Sequence, residues 1–135
     1  MKYIAHRRFK TNAICGWVNI PATTEVDCEN GILIYSNGIL CYEDCENSHQ
    51  FFTRNDDGHG MERGKLTQAI MKTLAQRNGR DDPVYQERWD RVWNDPACQP
   101  YKREDDDEYW LWSHAFFNAD IDVLRHIAKL VGAKA

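Results

Sequence analysis

Two adjacent carboxylates and a histidine stand in a glycine-rich stretch near the middle of the chain, FFTRNDDGHGMERGKLTQ. Carboxylate and imidazole groups bind divalent cations, and a bound cation can activate water for attack on a phosphoester. One interpretation is therefore a metal-dependent phosphoester hydrolase that uses Asp56, Asp57 and His59. It requires the loop to curl, because adjacent residues on an extended strand point to opposite faces.

The same stretch has features of a phosphate-binding loop. Glycines permit positive φ angles, and the start of the following helix offers free N–H groups to an anion. The spacing does not fit a Walker loop, a dinucleotide fingerprint or an EF-hand. The preferred interpretation is structural, with Asn55, Asp56 and Asp57 forming turn and cap hydrogen bonds. The alternative is a sponge that retains a phosphorylated small molecule through Gly58, Gly60, Arg63, Gly64 and Lys65.

A second cluster lies in CYEDCENSH. If a short helix begins near Asp44, Cys45 and His49 lie at positions i and i+4 on one face, a spacing that suits zinc. Together with Cys41 they form a candidate zinc site, for which the sequence offers no evident fourth ligand. Free cysteines are also ordinary core residues, so the default expectation is a protein without a cofactor.

The last third of the chain combines an acidic run with aromatic residues, a pairing found at protein-binding surfaces. The carboxylates disfavour nucleic acid and favour a basic protein as the partner. The alternative is a solvated charged loop beside core aromatics. The predicted interaction surface comprises Asp105, Asp106, Asp107, Tyr109, Trp110 and Trp112.

These candidates depend on the elements that position them, and the first third of the chain has the pattern of strands. Asn30-Gly31 and Asn37-Gly38 are type I′ turn signals between apolar runs, so they predict a three-stranded meander. The register implied by two-residue loops at these positions places Cys28 and Cys41 on opposite faces, unless a bulge intervenes. Two further strands are predicted upstream, within residues 2–9 and 13–20.

After residue 63 the apolar residues recur with a helical period. We predict one helix that ends before Gly79, a second with Asp82 as N-cap and Pro83 at N1, and a third from Asn118 to Gly132. The predicted fold is α+β, with an N-terminal antiparallel meander or small curved sheet packed against about three C-terminal helices. A single domain is expected over residues 1–135, mainly β in 1–53, a glycine-rich loop in 54–64 and mainly α in 65–135.

Composition is that of a globular protein, with 42% hydrophobic and 28% charged residues. The net charge of −4, with Lys and Arg spread among Asp and Glu, does not indicate a general nucleic-acid-binding face. The local patch from His6 to Lys10 still offers cations to phosphates, the alternative being a solvated strand edge. The chain shows no signal peptide or membrane span, and its cysteines are odd in number, so we expect a cytoplasmic protein with reduced thiols and no membrane partner.

Four blocks of the sequence stand out together: RRFKTNAICGWVNIP, FFTRNDDGHGMERGKLTQAI, RWDRVWNDPAC and YWLWSHAFFNADIDVLRHIAKLVGAK. They resemble small uncharacterised proteins carried by prophages and conjugative elements of Gram-positive bacteria. The resemblance implies a bacterial host cytoplasm as the setting and action on host machinery, including inhibition of antiviral defence, but no activity or site residue. We therefore predict a non-enzymatic accessory protein that binds a host or phage macromolecule, and the hydrolase and the sponge are the alternatives.

Overall fold

The structure is a computed structural model that describes residues 1–13, 16–101, 103–105, 108–110 and 114–134, with the backbone alone for 11–13, 16, 103–105 and 108–110. It confirms the predicted α+β class, with strands in the first half and most helices in the second. The chain divides into two compact units, residues 1–64 and 65–135.

The described residues of the first unit form seven strands and one short helix. The elements are β1 (Lys2–Ala5), β2 (Phe9–Ala13), β3 (Gly16–Ile20), β4 (Glu25–Glu29), β5 (Ile32–Tyr35), β6 (Gly38–Tyr42), α1 (Glu46–Phe51) and β7 (Phe52–Arg54). A five-stranded antiparallel sheet has the order β6-β5-β4-β1-β7, and β2 and β3 form a separate two-stranded hairpin.

The predicted meander is present as β4, β5 and β6, but only one of its two turns was predicted correctly. Asn30 and Gly31, with φ of 52° and 76°, form the first turn as expected. The prediction of the second turn was wrong: it consists of Ser36 and Asn37, with φ of 51° and 63°, and Gly38 already pairs with Tyr35. Asn accepts the left-handed region at either turn position, so the Asn-Gly dipeptide did not determine which two residues form the loop.

The register of the second hairpin also differs from the prediction, because a bulge interrupts it. Leu33 pairs with Cys41, and Ile34 pairs with Ile39, which leaves Leu40 as the extra residue. Since Cys28 pairs with Leu33 on its other side, Cys28 and Cys41 share one face of the sheet and do not lie on opposite faces as predicted.

The core of the first unit lies on one face of the sheet, which the hairpin covers. Strand β4 alternates strictly between exposed and buried residues, the pattern of a strand with one solvated face. The Phe9 ring lies 5.1 Å from each of the Phe51 and Phe52 rings, measured between centroids. The buried core residues are Tyr3, Ala5, Phe9, Ile20, Val26, Cys28, Leu33, Leu40, Cys41 and Phe52.

The second unit is built around helices. Two predicted termini are confirmed: Asp82 caps the second helix through a 3.0 Å bond from Val84 N–H, and Gly132 ends the last helix with φ of 75°. The elements are α2 (Gly60–Ala75), which begins in the first unit, α3 (Pro83–Asn94), a 3₁₀ helix (Pro96–Tyr101), β8 (Arg103–Asp105), β9 (Glu108–Trp110), α4 (His114–Phe117) and α5 (Ile121–Val131).

An apolar core of its own holds the second unit together. The aliphatic stripes of α2 and α5 supply most of this core, as the helical period of their apolar residues predicts. Its buried residues are Leu66, Ile70, Leu74, Val92, Cys98, Phe116, Phe117, Ala119, Ile121, Leu124, Ile127, Ala128 and Val131. Among the described helices of the chain, none combines the length and the apolar character needed to cross a membrane.

Candidate functional site

An ion pair between a buried arginine and a partly exposed aspartate closes the loop that the sequence offers as a catalytic or anion-binding site. The Arg63 side chain is 0% exposed, and its Nη2 lies 2.5 Å from Asp57 Oδ2. Its Nη1 lies 3.2 Å from Asp57 Oδ1 and donates to the Arg54 carbonyl at 2.6 Å. The hydrogen bonds from Arg63 hold the pKa of Asp57 well below its usual range. Asp57 is therefore ionised and bound to the guanidinium.

The other polar residues of the loop make local and long-range backbone contacts. The Asp57 carboxylate also accepts from His59 N–H at 3.0 Å, and Asn55 Oδ1 accepts from Gly60 N–H at 2.9 Å. Asp56 Oδ1 accepts from the backbone N–H of Lys2 at 3.0 Å. The bonds of Asn55 and Asp57 are local turn bonds of the kind that the structural interpretation expects, whereas the bond of Asp56 joins the loop to β1. A hydrolase that uses Asp56, Asp57 and His59 stays a prediction, and it would have to draw both carboxylates away from these partners.

The three glycines of the loop have two different roles. Gly58 has a φ of 78° and open space around it, so it allows a tight turn. Gly60 and Gly64 lie in α2 at positions i and i+4, where a Cβ atom would overlap Ile4 and the His6 ring respectively. Their lack of a side chain brings the helix close to β1.

An anion at this helix start would meet groups that are already engaged. The Gly60 N–H bonds to Asn55, and the Arg63 guanidinium bonds to Asp57. Lys65 is exposed on the same helix. The phosphate-binding loop comprising Gly58, Gly60, Arg63, Gly64 and Lys65 stays a prediction.

The structure does not bring the three candidate zinc ligands, Cys41, Cys45 and His49, together at one point. Cys45 is the N-cap of α1: its Sγ accepts from Ser48 N–H at 3.4 Å and its thiol donates to the Tyr42 carbonyl at 3.0 Å. His49 Nε2 lies 3.5 Å from Asp44 Oδ1. Cys41 and Cys45, both described residues, contact each other through their side chains, but the ligand atoms of Cys41, Cys45 and His49 do not all lie within 4.8 Å of one another. Zinc at these residues stays a prediction that requires them to move together.

Buried thiols near this cluster are protonated at neutral pH. Burial raises the pKa of Cys41 to about 12 and that of Cys28 to about 11. The Cys28 thiol donates to Glu43 Oε2 at 3.2 Å, and the Tyr3 hydroxyl donates to the same oxygen at 2.7 Å. A protonated thiol is a weak nucleophile, so these groups serve the core better than covalent catalysis.

The solvated face of strands β4, β5 and β6 carries apolar residues that sequence reasoning did not single out. Tyr42 is 67% exposed and Ile39 is 40% exposed. Residues directly opposite each other in an antiparallel pair share a face. The pairing places two rows across this outer sheet face, Glu29–Ile32–Tyr42 and Asp27–Ile34–Ile39.

The hairpin formed by β2 and β3 presents a second exposed face, of opposite charge. Trp17 on β3 is 80% exposed. Asn19 lies two positions further along β3, and therefore on the same face, and it pairs with Lys10 on β2. Arg8 Nε donates to Asn19 Oδ1 at 2.9 Å, which fixes the guanidinium beside this face. We call Arg8, Lys10, Trp17 and Asn19 the hairpin face.

The charges of the first unit are segregated along the sequence, contrary to the expectation that they are evenly spread. Residues 3–24 contain three cations, Arg7, Arg8 and Lys10, and no carboxylate. Residues 25–57 contain eight carboxylates and one arginine. Counting charges over short stretches of the sequence would have revealed the basic region and the acidic region, which the net charge of the whole chain hides.

The predicted acidic and aromatic surface falls largely outside the described residues. The backbone of β9 pairs Glu108, Tyr109 and Trp110 with β8, with Arg103 opposite Trp110 and Asp105 opposite Glu108. Asp106, Asp107 and Trp112 lie outside the described residues, as do the side chains of Asp105, Tyr109 and Trp110. This surface stays a prediction.

The chain was compared with known proteins at three levels. Comparisons with protein-family models, with curated proteins and with solved structures return no match. The prophage and conjugative-element setting therefore stays an expectation from the sequence.

Proposed function

We propose that this protein works by binding another protein through its outer sheet face. The carrying observation is the pair of cross-strand rows in which Ile39 and Tyr42 expose apolar surface beside Asp27 and Glu29. Exposed apolar residues next to polar ones are the composition of protein interfaces, where aromatic side chains act as anchors. Strand β6, which carries both Ile39 and Tyr42, is the last strand of its sheet.

The partner's chemistry follows from the charge of the face. Strand β4 carries three exposed carboxylates, Glu25, Asp27 and Glu29. Lys2 on the neighbouring strand β1 forms an ion pair with Asp27. Exposed pairs of this kind contribute little energy, and the strand keeps an excess of negative charge. The partner we propose is a protein segment that combines aliphatic residues with Lys or Arg.

The loop supports binding over catalysis as the mode of action. The carboxylates of Asp56 and Asp57 and the guanidinium of Arg63 take part in bonds that hold the loop. In the setting that the sequence resemblance implies, the bound protein would belong to the bacterial host or to a phage. That setting, including inhibition of host defence, is part of the proposal.

A panel of labelled peptides tests the proposal. The peptides have about ten residues, close to the upper length of a strand, and alternate aliphatic residues with Lys. A mirror panel carries Glu in place of Lys. Fluorescence polarisation with the full chain should show binding of the basic peptides and none of the acidic ones. Added salt should weaken the binding, since part of the attraction comes from exposed charges.

Surface variants locate the binding. Ile39→Thr and Tyr42→Ser should each weaken basic-peptide binding about tenfold or more, because anchors of an interface contribute about 1–2 kcal/mol or more each. Val84→Ser is the matched control, since Val84 is an exposed aliphatic residue of α3. Equal binding of acidic and basic peptides, or binding that neither sheet variant changes, would contradict the proposal.

The two alternative functions, hydrolase and sponge, predict different measurable outcomes. A hydrolase must turn over phosphoesters when Mg²⁺ or Mn²⁺ is added, and Asp56→Asn must abolish that turnover. A sponge must retain a phosphorylated small molecule at fixed stoichiometry, which native mass spectrometry of the purified protein detects. Turnover or a retained ligand would replace the binding proposal.

A further inference from the structure

We infer that the hairpin face is a second binding site and that its ligand is single-stranded nucleic acid. The phosphates would lie against Arg8 and Lys10, and one unstacked base would stack on the Trp17 ring. This inference is independent of the outer sheet face, because it rests on different strands and on the opposite charge.

The hairpin is built so that its two faces differ. Phe9 pairs with Ile20, and both are buried in the core of the first unit. The alternate positions therefore face away from that core, and they include Lys10, Asn19 and Trp17. Trp17 stands beside solvent with 80% of its surface exposed, although a tryptophan ordinarily buries most of its area. A large exposed ring on a regular strand is available for stacking.

Charge supports an anionic ligand at this face. Residues 3–24 carry cations only, and neither Arg8 nor Lys10 forms an ion pair among the residues that the structure describes. The hydrogen bond from Arg8 to Asn19 positions the guanidinium beside the strand that carries Trp17. Arg7 lies over the Phe51 ring, 4.6 Å from its centroid, and adds a third cation near the base of the hairpin.

The combination of an exposed ring with nearby cations fits single strands better than duplexes. Proteins that bind single strands pair a positive surface along the phosphates with aromatic rings on which bases stack. A base inside a duplex has no free face for such a ring. An acidic protein would use both the cations and the indole, since tryptophan also anchors protein interfaces, and competition with poly-glutamate distinguishes that outcome from a single strand.

The test is fluorescence anisotropy of a labelled oligothymidylate of roughly a dozen nucleotides, titrated with the full chain at several salt concentrations. The wild-type protein should bind, and affinity should fall as salt rises. Trp17→Ala should weaken binding about tenfold or more, as expected for loss of one stacked base. Lys10→Gln should weaken it as well and reduce the logarithmic salt slope by about 0.7, the value for one phosphate contact on a single strand.

Matched variants distinguish this site from general charge effects. Tyr42→Ser removes an exposed aromatic ring from the outer sheet face, and Lys129→Gln removes an exposed cation from α5. Both should leave oligothymidylate binding unchanged within twofold. Binding that Trp17→Ala does not weaken would overturn the inference. So would poly-glutamate that competes as well as the oligonucleotide, since the site would then accept any polyanion.

Failure here leaves the first proposal standing, because the two sites have separate readouts. Tyr42→Ser should lower peptide binding and spare the oligonucleotide, and Trp17→Ala should do the reverse. A wild-type protein that binds neither oligothymidylate nor poly-glutamate overturns the nucleic-acid inference alone.

Discussion

The loop from Asn55 to Arg63 and the hairpin face both carry residues that could bind a ligand, but their side chains are engaged very differently. In the loop, Asp57 and Arg63 neutralise each other, and Asp56 holds the first strand. On the hairpin, Lys10 and Trp17 face solvent. Residue type alone therefore does not identify a binding site. What matters is whether the group is still available once the chain has folded.

Replacement of the two loop carboxylates should give the largest effect. Asp57→Asn is expected to lower the free energy of unfolding by about 2–3 kcal/mol, because it removes a charge partner of a buried guanidinium. The 37% exposure of the Asp57 side chain keeps the loss below that of a fully buried pair. Asp56→Asn is the matched control and should cost about 1 kcal/mol or less, because an amide oxygen can still accept from Lys2 N–H. Urea denaturation of both variants measures the difference.

The stabilities of these two variants test whether the Asp57–Arg63 ion pair holds the loop. If Asp57→Asn were as stable as the wild type, the ion pair would not stabilise the loop. The Asp57 carboxylate could then exchange Arg63 for a ligand without loss of stability. Equal losses in both variants would mean that the buried guanidinium carries no special cost.

The two kinds of glycine should respond differently to alanine. Gly64→Ala should destabilise the protein by about 2–3 kcal/mol, because its Cβ would overlap the buried His6 ring. Gly58→Ala meets no neighbour but requires a left-handed residue, so it should cost about 1–2 kcal/mol. Thermal and urea unfolding measure both. The reverse order would mean that the helix start does not pack on β1 as described.

Acid should weaken the protein in a window set by His6. Burial lowers the pKa of His6 to about 4, and its Nε2 has no hydrogen-bond partner among the described residues. The unfolded chain takes up this proton near pH 6.5 and the folded chain only near pH 4, so stability is complete above 6.5 and falls as the pH drops between these values. Between pH 7 and pH 5 the expected loss is about 2 kcal/mol.

A variant without the imidazole isolates this contribution. His6→Gln should be less stable overall but should lose the slope between pH 7 and pH 5. The depressed pKa of Asp57 stabilises the fold above the ordinary carboxylate range, so its contribution disappears at lower pH than that of His6. An unchanged slope in His6→Gln would assign the acid sensitivity to another group.

The exposed faces should give the smallest effects on stability. Ile39→Thr, Tyr42→Ser and Trp17→Ala should each change the free energy of unfolding by only about 0.5 kcal/mol, since their side chains are exposed. A loss above about 2 kcal/mol in any of them would show that the side chain supports the fold. That residue would then be removed from the proposed binding surface.

Much of the fold was predictable, because its signals are local. The turn at Asn30-Gly31, the N-cap at Asp82 and the helix end at Gly132 each depend on a few adjacent residues. The bulge at Leu40 was not predictable, since it depends on which residues the sheet buries and not on a local motif. It reversed the expected relation between Cys28 and Cys41.

The state of the candidate site was harder to predict for a related reason. The N–H group that Asp56 binds belongs to Lys2, far away in sequence, and the burial of Arg63 depends on how α2 approaches β1. Spacing identified the loop but could not assign its partners. The exposed Trp17 was equally invisible, because an aromatic residue in a strand is ordinarily counted toward the core.

The most direct test of binding through the outer sheet face is to map where a basic-aliphatic peptide contacts the protein. Amide chemical shifts of the full chain, isotopically labelled and titrated with the peptide, report every perturbed backbone position in one experiment. We predict that the changes concentrate on β4, β5 and β6 and leave the loop from Asn55 to Arg63 unchanged. Changes concentrated in that loop, or no changes at all, would contradict the claim that the loop holds the fold and the outer sheet face binds the partner.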